Sequence, residues 1–441
     1  MRRALLAGLM ALAVATAAHA QTVSRSTLDN GLTVLAVQSN SVQVAGIAVV
    51  INASGAHETD ANLGSRALLQ QMMSISSHDA VIEALNPLSG VVHGRGAAGL
   101  AVNTNWDFVE AAYTVAVEEM DAGLDLVANQ VFDVTLTQEA LDQARMLTER
   151  SLDVSQQSPV QVTFDLFRLA LYDDDAMGRP QQGNPESLEA ATLEGLQAFR
   201  DTYYVPSNAW LCVVSPLPVE EATAAVTRAF SDLATRPAPP APPASELPTE
   251  SLIEVGDSPD LMQVSLVVGV PLPSYGDPQF PAAEVLAELL EGPGGRLRRD
   301  LRLLQSLGLA LPTRLLDEHY PISVLNVPPA HRPFLAVHLL AAPRSIEAAR
   351  VGVLRHLLAL QTGSVTDAEL ERAKSRMTNT IRLATARPGD AALYFARRAC
   401  FGLGDANEAV AAIEAVTPED LTAVATDYFT RHAIGVQMPS S

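Results

Sequence analysis

Residues 192–204 read TLEGLQAFRDTYY and residues 417–429 read TPEDLTAVATDYF, and the comparison of these two stretches decides the fold. Thr192, Glu194, Leu196, Ala198 and Tyr203 fall on Thr417, Glu419, Leu421, Ala423 and Tyr428, each 225 positions further on. Upstream, Thr137, Leu141 and Ala144 fall on Thr366, Leu370 and Ala373, 229 positions further on. Single matches arise from shared helix chemistry: Thr417-Pro418 and Asn184-Pro185 are ordinary helix starts, and Thr366 with Glu369 is a capping box. Matches in the same order at nearly one offset indicate a duplicated domain.

Between the copies the chain reads PAPPAPPASELP, six prolines in twelve residues. Proline lacks the N–H that a sheet or helix needs, so this stretch is a linker, able to reach about 37 Å if extended as polyproline II. The expected organisation is a signal segment at 1–20, a first domain at 21–235, the linker at 236–250 and a second domain at 251–441. Each half mixes the two hydrophobic periods, which argues for α+β. Leu28 to Val37 suits a hairpin turning at Asn30-Gly31, Val42 to Ile51 is strand-like, and so is Trp210 to Val214. Helical spacing covers Ala61 to Met73, Val109 to Val127, Thr137 to Leu152 and Leu193 to Tyr203. In the second half a strand over Val264 to Val270 precedes helices over Pro281 to Leu290, Thr366 to Ala384, Ala391 to Phe401 and Pro418 to Phe429. The predicted fold class is α+β: two duplicated domains, each a mostly antiparallel sheet packed by helices, facing each other as a clamshell.

Arg2 and Arg3, the apolar run from Ala4 to Ala18 and Ala18-His19-Ala20 have the layout of a cleavable secretory signal. The run is shorter than the roughly 20 residues of a membrane-spanning helix. A periplasmic or secreted protein with no membrane span after signal cleavage is expected. The formal charge of −21 becomes −23 without Arg2 and Arg3, and it repels phosphate backbones and anionic lipid, so no nucleic-acid partner is expected. Cys212 and Cys400 each lie in an apolar segment and are read as buried thiols. Outside the signal there are eight histidines, none within three to five residues of another; the nearest pair is His331 and His338. No local helical metal site follows from them.

Taken in order, several landmarks resemble the pitrilysin/insulinase family of zinc metallopeptidases, which includes mitochondrial processing peptidase and non-peptidase relatives. They are LDNGLTV at Leu28, the Gly55-Ala56-His57-Glu58 turn, the helix at Gly64, Gly183-Asn184-Pro185-Glu186-Ser187 and Tyr203 through Ala209. In the second half they are Gly294 through Leu297 with Leu301-Arg302, Glu369 through Lys374, and Val416 through Leu421. The resemblance covers nearly the whole chain after the signal.

Active members carry H-x-x-E-H on the helix that begins where Gly64 stands. Positions i and i+4 share a helix face, so two imidazoles converge on one ion while the glutamate activates water. Here the helix reads LGSRALLQQMM, which puts Ala67 and Gln71 at the histidine positions and Gln70 at the general-base position. A methyl group has no lone pair to donate, and a glutamine amide takes no proton at neutral pH. No catalytic residue, no metal ligand set and no cofactor are expected. The resemblance puts a third, glutamate ligand near Glu149, which is otherwise a solvated helix charge. It also implies a substrate-contacting arginine at Arg302, with Leu311 at the position of a partner tyrosine; the alternative is that Arg296, Arg298, Arg299 and Arg302 form a solvated helix face.

The function expected from this resemblance is a proteolytically inactive homologue. It would be the non-catalytic, substrate-binding subunit of a heteromeric peptidase, paired with a zinc-bearing paralogue and contacting peptide or unfolded polypeptide. The alternative is a peptide-binding or assembly protein with no peptidase partner. A strand edge around Ala101 to Asn105 is a further candidate, either adding to an extended peptide by backbone hydrogen bonds or lying inside the sheet.

Overall fold

The computed structural model describes residues 22–40, 43–76, 91–93, 102–173, 175–242, 248–258, 261–291, 295–297, 323–327 and 333–439. The signal segment, Arg298, Arg299, Arg302, Leu311, His78, His319 and His331 lie outside them. The first half runs β1 (Thr22–Thr27), β2 (Thr33–Gln38), β3 (Val44–Ile51), α1 (Ser65–Ser76), β4 (Val91–His93), β5 (Asn103–Thr104), β6 (Val109–Ala116), α2 (Met120–Ala128), α3 (Gln138–Gln156), α4 (Pro159–Tyr172), α5 (Pro185–Ala190), α6 (Leu193–Tyr203), β7 (Ala209–Ser215) and α7 (Val219–Phe230). The second runs β8 (Leu252–Ser258), β9 (Val264–Pro271), α8 (Phe280–Glu291), β10 (Ser323–Val327), β11 (Phe334–Ala341), α9 (Ile346–Leu360), α10 (Asp367–Ala384), α11 (Pro388–Cys400), α12 (Ala406–Ala415), α13 (Pro418–Tyr428) and β12 (Ala433–Pro439). No described helix is long and apolar enough to cross a membrane.

The two sheets repeat one pairing scheme. In the first the order is β1-β2-β7-β3-β6-β4, with β5 also on β6; in the second it is β10-β11-β9-β12-β8. β2 runs parallel to the late strand β7, which is antiparallel to β3, which is antiparallel to β6. β8 likewise runs parallel to the late strand β12, followed by antiparallel β9 and β11. Apart from one parallel pair each, both sheets are antiparallel among the described strands. The caps expected from sequence also form: Thr366 with Glu369, Thr417 with Asp420 and Asn184 with Ser187 close capping boxes.

Each half has a core of its own. In the first, Leu32, Val34, Ile47, Val49 and Tyr113 meet Leu68, Met72, Leu141 and Leu196; in the second, Leu266, Val268 and Val337 meet Leu286, Leu290, Leu370 and Leu421. The opposite face of each sheet is covered by a helix from the other half. Ala391, Ala392, Phe395, Ala396 and Ala399 of α11 pack on Leu35, Val37, Ala48, Val50, Cys212 and Val214. Phe164, Phe167, Ala170 and Leu171 of α4 pack on Val267, Phe334, Ala336 and Ala433. α4 and α11 start 229 positions apart, at Pro159 and Pro388, so the exchange is reciprocal. The facing halves are therefore interlocked, which adds to the expected clamshell a contact layer that runs across the linker.

Glycine makes the close approach possible. A Cβ at Gly46 of β3 would overlap the carbonyl of Pro388, and one at Gly435 of β12 would overlap Thr163 O and Phe167 N. A buried polar chain also crosses this layer: Thr163 Oγ1 of α4 lies 2.8 Å from Ser265 Oγ of β9, which lies 3.0 Å from His338 Nε2 of β11. Cys212 is buried in the other exchanged layer with Cys400 packed beside it, both as free thiols that burial pushes far up.

One helix expected from sequence is corrected. Val109–Ala116, read as part of a helix to Val127, is strand β6, and the helix begins at Met120. Five consecutive residues of β6, Val109 to Tyr113, are buried because helices cover both faces of the sheet. That erases the alternation by which a half-buried strand is recognised. A second correction concerns Arg296, which is buried rather than on a solvated face. Its Nε and Nη2 donate to Glu369 at 3.1 and 2.8 Å, and this pairing holds the Glu369 carboxyl down to about 2.

Candidate functional site at helix α1

Gly64 fixes where α1 begins. Its φ of +87° is left-handed, and a Cβ there would stand 2.9 Å from Gln182 O and 3.1 Å from Gly183 Cα. Two landmarks distant in sequence thus meet backbone to backbone. From Gly64, α1 buries Ser65, Arg66, Leu68, Leu69, Met72 and Met73. Ala67, Gln70, Gln71 and Ser74 are half-buried and form the other stripe. The sequence-derived positions do share one face, and what that face presents is a methyl group and two amides.

Gln70 is already engaged. Its Oε1 accepts the backbone N–H of Thr104 at 2.7 Å, and Thr104 Oγ1 donates to Arg66 O at 3.4 Å. β5 is only two residues long and pairs with β6 through Asn103–Glu110 and Thr104–Val109. Asn105 N donates to Phe108 O across the tight turn, so the pairs alternate and Thr104 N–H points away from β6. The candidate strand edge is thus inside the sheet on one side and capped by Gln70 on the other. Ala101 lies outside the described residues.

Glu149 is exposed on α3, whose buried stripe is Ala140, Leu141, Ala144, Thr148 and Leu152, and α3 packs on α1. The residue near the expected third-ligand position that turns inward is therefore Thr148. These side chains do not fit a zinc ion, which needs nitrogen, sulfur or carboxylate donors. Among the described residues no group of three or more His, Cys, Asp or Glu side chains is arranged to hold a metal. His57, the described histidine nearest this helix in sequence, uses Nδ1 to accept Ser54 N at 3.0 Å, and its ring lies 4.7 Å from that of Tyr203.

Beneath α1 lies a buried charge pair that sequence reasoning passed over. Arg66 is fully enclosed; its Nε lies 3.3 Å from Glu58 Oε2, and its backbone N donates to Glu58 Oε1 at 2.9 Å. Burial raises the Glu58 carboxyl above its ordinary range, against the opposing pull of Arg66. Arg66 Nη1 also donates to Ala53 O at 3.3 Å and Asn105 O at 2.5 Å. The available signal was an arginine inside an otherwise apolar helical stripe.

The loop held by Arg66 is where the halves meet. Trp106 lies under the Arg168 guanidinium of α4, 3.1 Å from ring centroid to Cζ. On the next strand Glu110 accepts from Asn105 Nδ2 at 3.3 Å and from Arg397 of α11 through two bonds of 2.6 Å. Phe108 stands 5.7 Å from Phe401. A connected set of side chains therefore runs from the motif helix through β5 and β6 to both exchanged helices.

Comparison with known proteins places this arrangement. Residues 33–184 match the model described as insulinase (peptidase family M16), and residues 190–377 match the peptidase M16 inactive domain, together more than half of the chain. An uncharacterized zinc protease of Bacillus subtilis is 22% identical over 200 residues, 43% of this chain and 46% of that protein, so the chain spans about half the length of that relative. The mitochondrial-processing peptidase subunit alpha of Bos taurus is 24% identical over 389 residues, 81% of this chain and 70% of that protein. A solved protease structure from Helicobacter pylori shares the fold with a TM-score of 0.83 at 18% identity, covering 95% of this chain and 100% of that one. Matched in order through both halves, the chain belongs to the insulinase family of metallopeptidases, peptidase family M16.

Proposed function

We propose that this chain is a non-catalytic, substrate-binding subunit that pairs with a zinc-bearing paralogue outside the cytosol. The reading rests on the α1 face, where the family resemblance puts Ala67 and Gln71 at the ligand positions and where Gln70 Oε1 accepts the Thr104 N–H. The general base and both imidazoles are lost together while the fold around them is kept. Relatives named as alpha and beta subunits of mitochondrial-processing peptidase support pairing between chains of this type. Peptide or unfolded polypeptide would contact the walls between the two halves, with Arg302 as one contact. The carboxylate-rich composition keeps nucleic acid away.

Co-expression with a candidate zinc-bearing paralogue tests this. A stable 1:1 complex whose peptidase activity exceeds that of the paralogue alone is expected. A homo-oligomer that forms no such complex would overturn the pairing and favour an assembly role, for which the Gln70 cap on the β5 edge is the supporting feature.

A further inference from the structure

The duplication covers one strand edge in the first half and leaves its counterpart open in the second. Val34 of β2 pairs with Leu211 of β7, and Val255 of β8 pairs with Val436 of β12. Leu211 and Val436 are 225 positions apart, the offset of the helices that precede them, so Val255 holds the place of Val34. On its outer side β2 carries β1, antiparallel, with Ser26 opposite Val34, and α7 closes the same core through Val219, Ala222, Val226 and Phe230. Val34 is wholly buried as a result. β8 ends its sheet: among the described strands nothing pairs with its outer side.

The side chains of β8 show the consequence. Ile253 and Val255 are in register with Ile434 and Val436, so they stand on the face of the sheet that carries the second core, to which Ile434 belongs. Ile253 is nevertheless 53% and Val255 57% exposed, and Met438 beyond them is 37% exposed. Neither proline, lysine nor a bulge blunts this edge: Leu252–Ser258 contains none of the first two, and its pairing with β12 runs unbroken from end to end.

The charges on this edge select what can cover it. The chain carries no Lys or Arg between Arg236 and Arg296, whereas Glu250, Glu254 and Asp257 lie on or beside β8. A second copy would set carboxylate against carboxylate across the edge, while a strand bearing Lys or Arg meets opposite charge.

We infer that the β8 edge takes up an extended polypeptide segment in which apolar and basic side chains alternate. The segment runs antiparallel to β8 as β1 does to β2, with apolar side chains over Ile253 and Val255 and Lys or Arg beside Glu254, and backbone hydrogen bonds supply the rest. This site is separate from the α1 face, and it stands or falls independently of pairing with a paralogue.

The test is fluorescence anisotropy of labelled Thr-Val-Lys-Val-Arg-Val-Thr titrated with the full chain. Saturable binding is expected, weaker by about 10- to 100-fold for the acidic probe Thr-Val-Glu-Val-Asp-Val-Thr and for the Glu254→Lys variant. Val255→Lys, a change at an exposed side chain, is expected to weaken the basic probe to a similar degree. Backbone N-methylation of the probe leaves the protein untouched. Placed on the valines or on the residues between them, only one of the two sets faces β8, so one analogue is expected to lose binding and the other to keep it. No saturable binding, equal binding of the acidic probe, equal affinity of the two methylated analogues, or unchanged affinity in folded Glu254→Lys or Val255→Lys variants each overturns the inference. A dimer of the chain that Val255→Lys dissociates would also overturn it, by giving the edge to a second copy.

Discussion

Gln70 and Thr104 are joined by a 2.7 Å hydrogen bond from the Thr104 backbone N–H to Gln70 Oε1, so a side chain of α1 closes a strand edge here. Gln70→Ala removes the acceptor and is expected to lower stability by about 1 kcal/mol. Hydrogen exchange at the Thr104 amide is expected to accelerate while that of Asn105, bonded to Phe108 O, changes little. If extended peptides use this edge, the variant binds them more tightly than the parent.

The Glu58–Arg66 pair supports the same loop from below. Arg66→Met leaves Glu58 buried without its cation and is expected to cost about 3–5 kcal/mol, measured by urea unfolding. Adding Glu58→Leu is expected to recover part of that loss. Full recovery is not expected, because Ala53 O and Asn105 O lose their donor as well.

The exchanged helices rest on glycine. Gly46→Ala and Gly435→Ala each place a methyl group against backbone of the opposite half and are expected to destabilise by at least about 1–3 kcal/mol. Gly276→Ala offers a control of another kind: its Cβ meets nothing within 4 Å, and its φ of +85° alone makes the change unfavourable. Denaturant midpoints are expected to fall further for the first two than for the control.

Acid should loosen the α4 layer through His338. Burial lowers this imidazole from its ordinary 6.5 to about 4, so the folded state holds it neutral where the unfolded chain would protonate it. Its contribution is complete above about pH 6.5 and is lost progressively as pH falls toward 4. A loss on the order of 3 kcal/mol is the upper bound. His338→Gln is expected to flatten the stability curve between pH 6.5 and 4.

Much of this was legible in the sequence, and the failures have physical causes. Capped amphipathic helices such as Thr366–Ala384 and Pro418–Tyr428 announce themselves locally, so the duplication was visible. β6 was not, because a strand covered on both faces loses its alternation. The exchange of α4 and α11 rests on contacts more than a hundred residues apart, such as Phe167 on Phe334 at 5.2 Å between ring centroids, which no local period encodes. At the site, the i and i+4 relation of Ala67 and Gln71 was readable, whereas the choice between Glu149 and Thr148 turned on a 100° rotation about α3. The roles of Gln70 and Arg66 depend on a turn nearly forty residues away.

Restoring the motif as Ala67→His, Gln70→Glu and Gln71→His is expected to recover zinc binding only in part. The inward position on α3 is Thr148, and the Gln70 change also removes the amide that caps Thr104. Adding Thr148→Glu is expected to tighten zinc further, as read by competition with a chelating dye.

Zinc content and peptide cleavage measured together on the purified full chain decide whether α1 lacks a catalytic metal site. Less than about a tenth of an equivalent of zinc and no chelator-sensitive cleavage of a quenched peptide are expected, since Ala67 and Gln71 offer no imidazole. One equivalent of retained zinc, with cleavage that a chelator abolishes and added zinc restores, would contradict it.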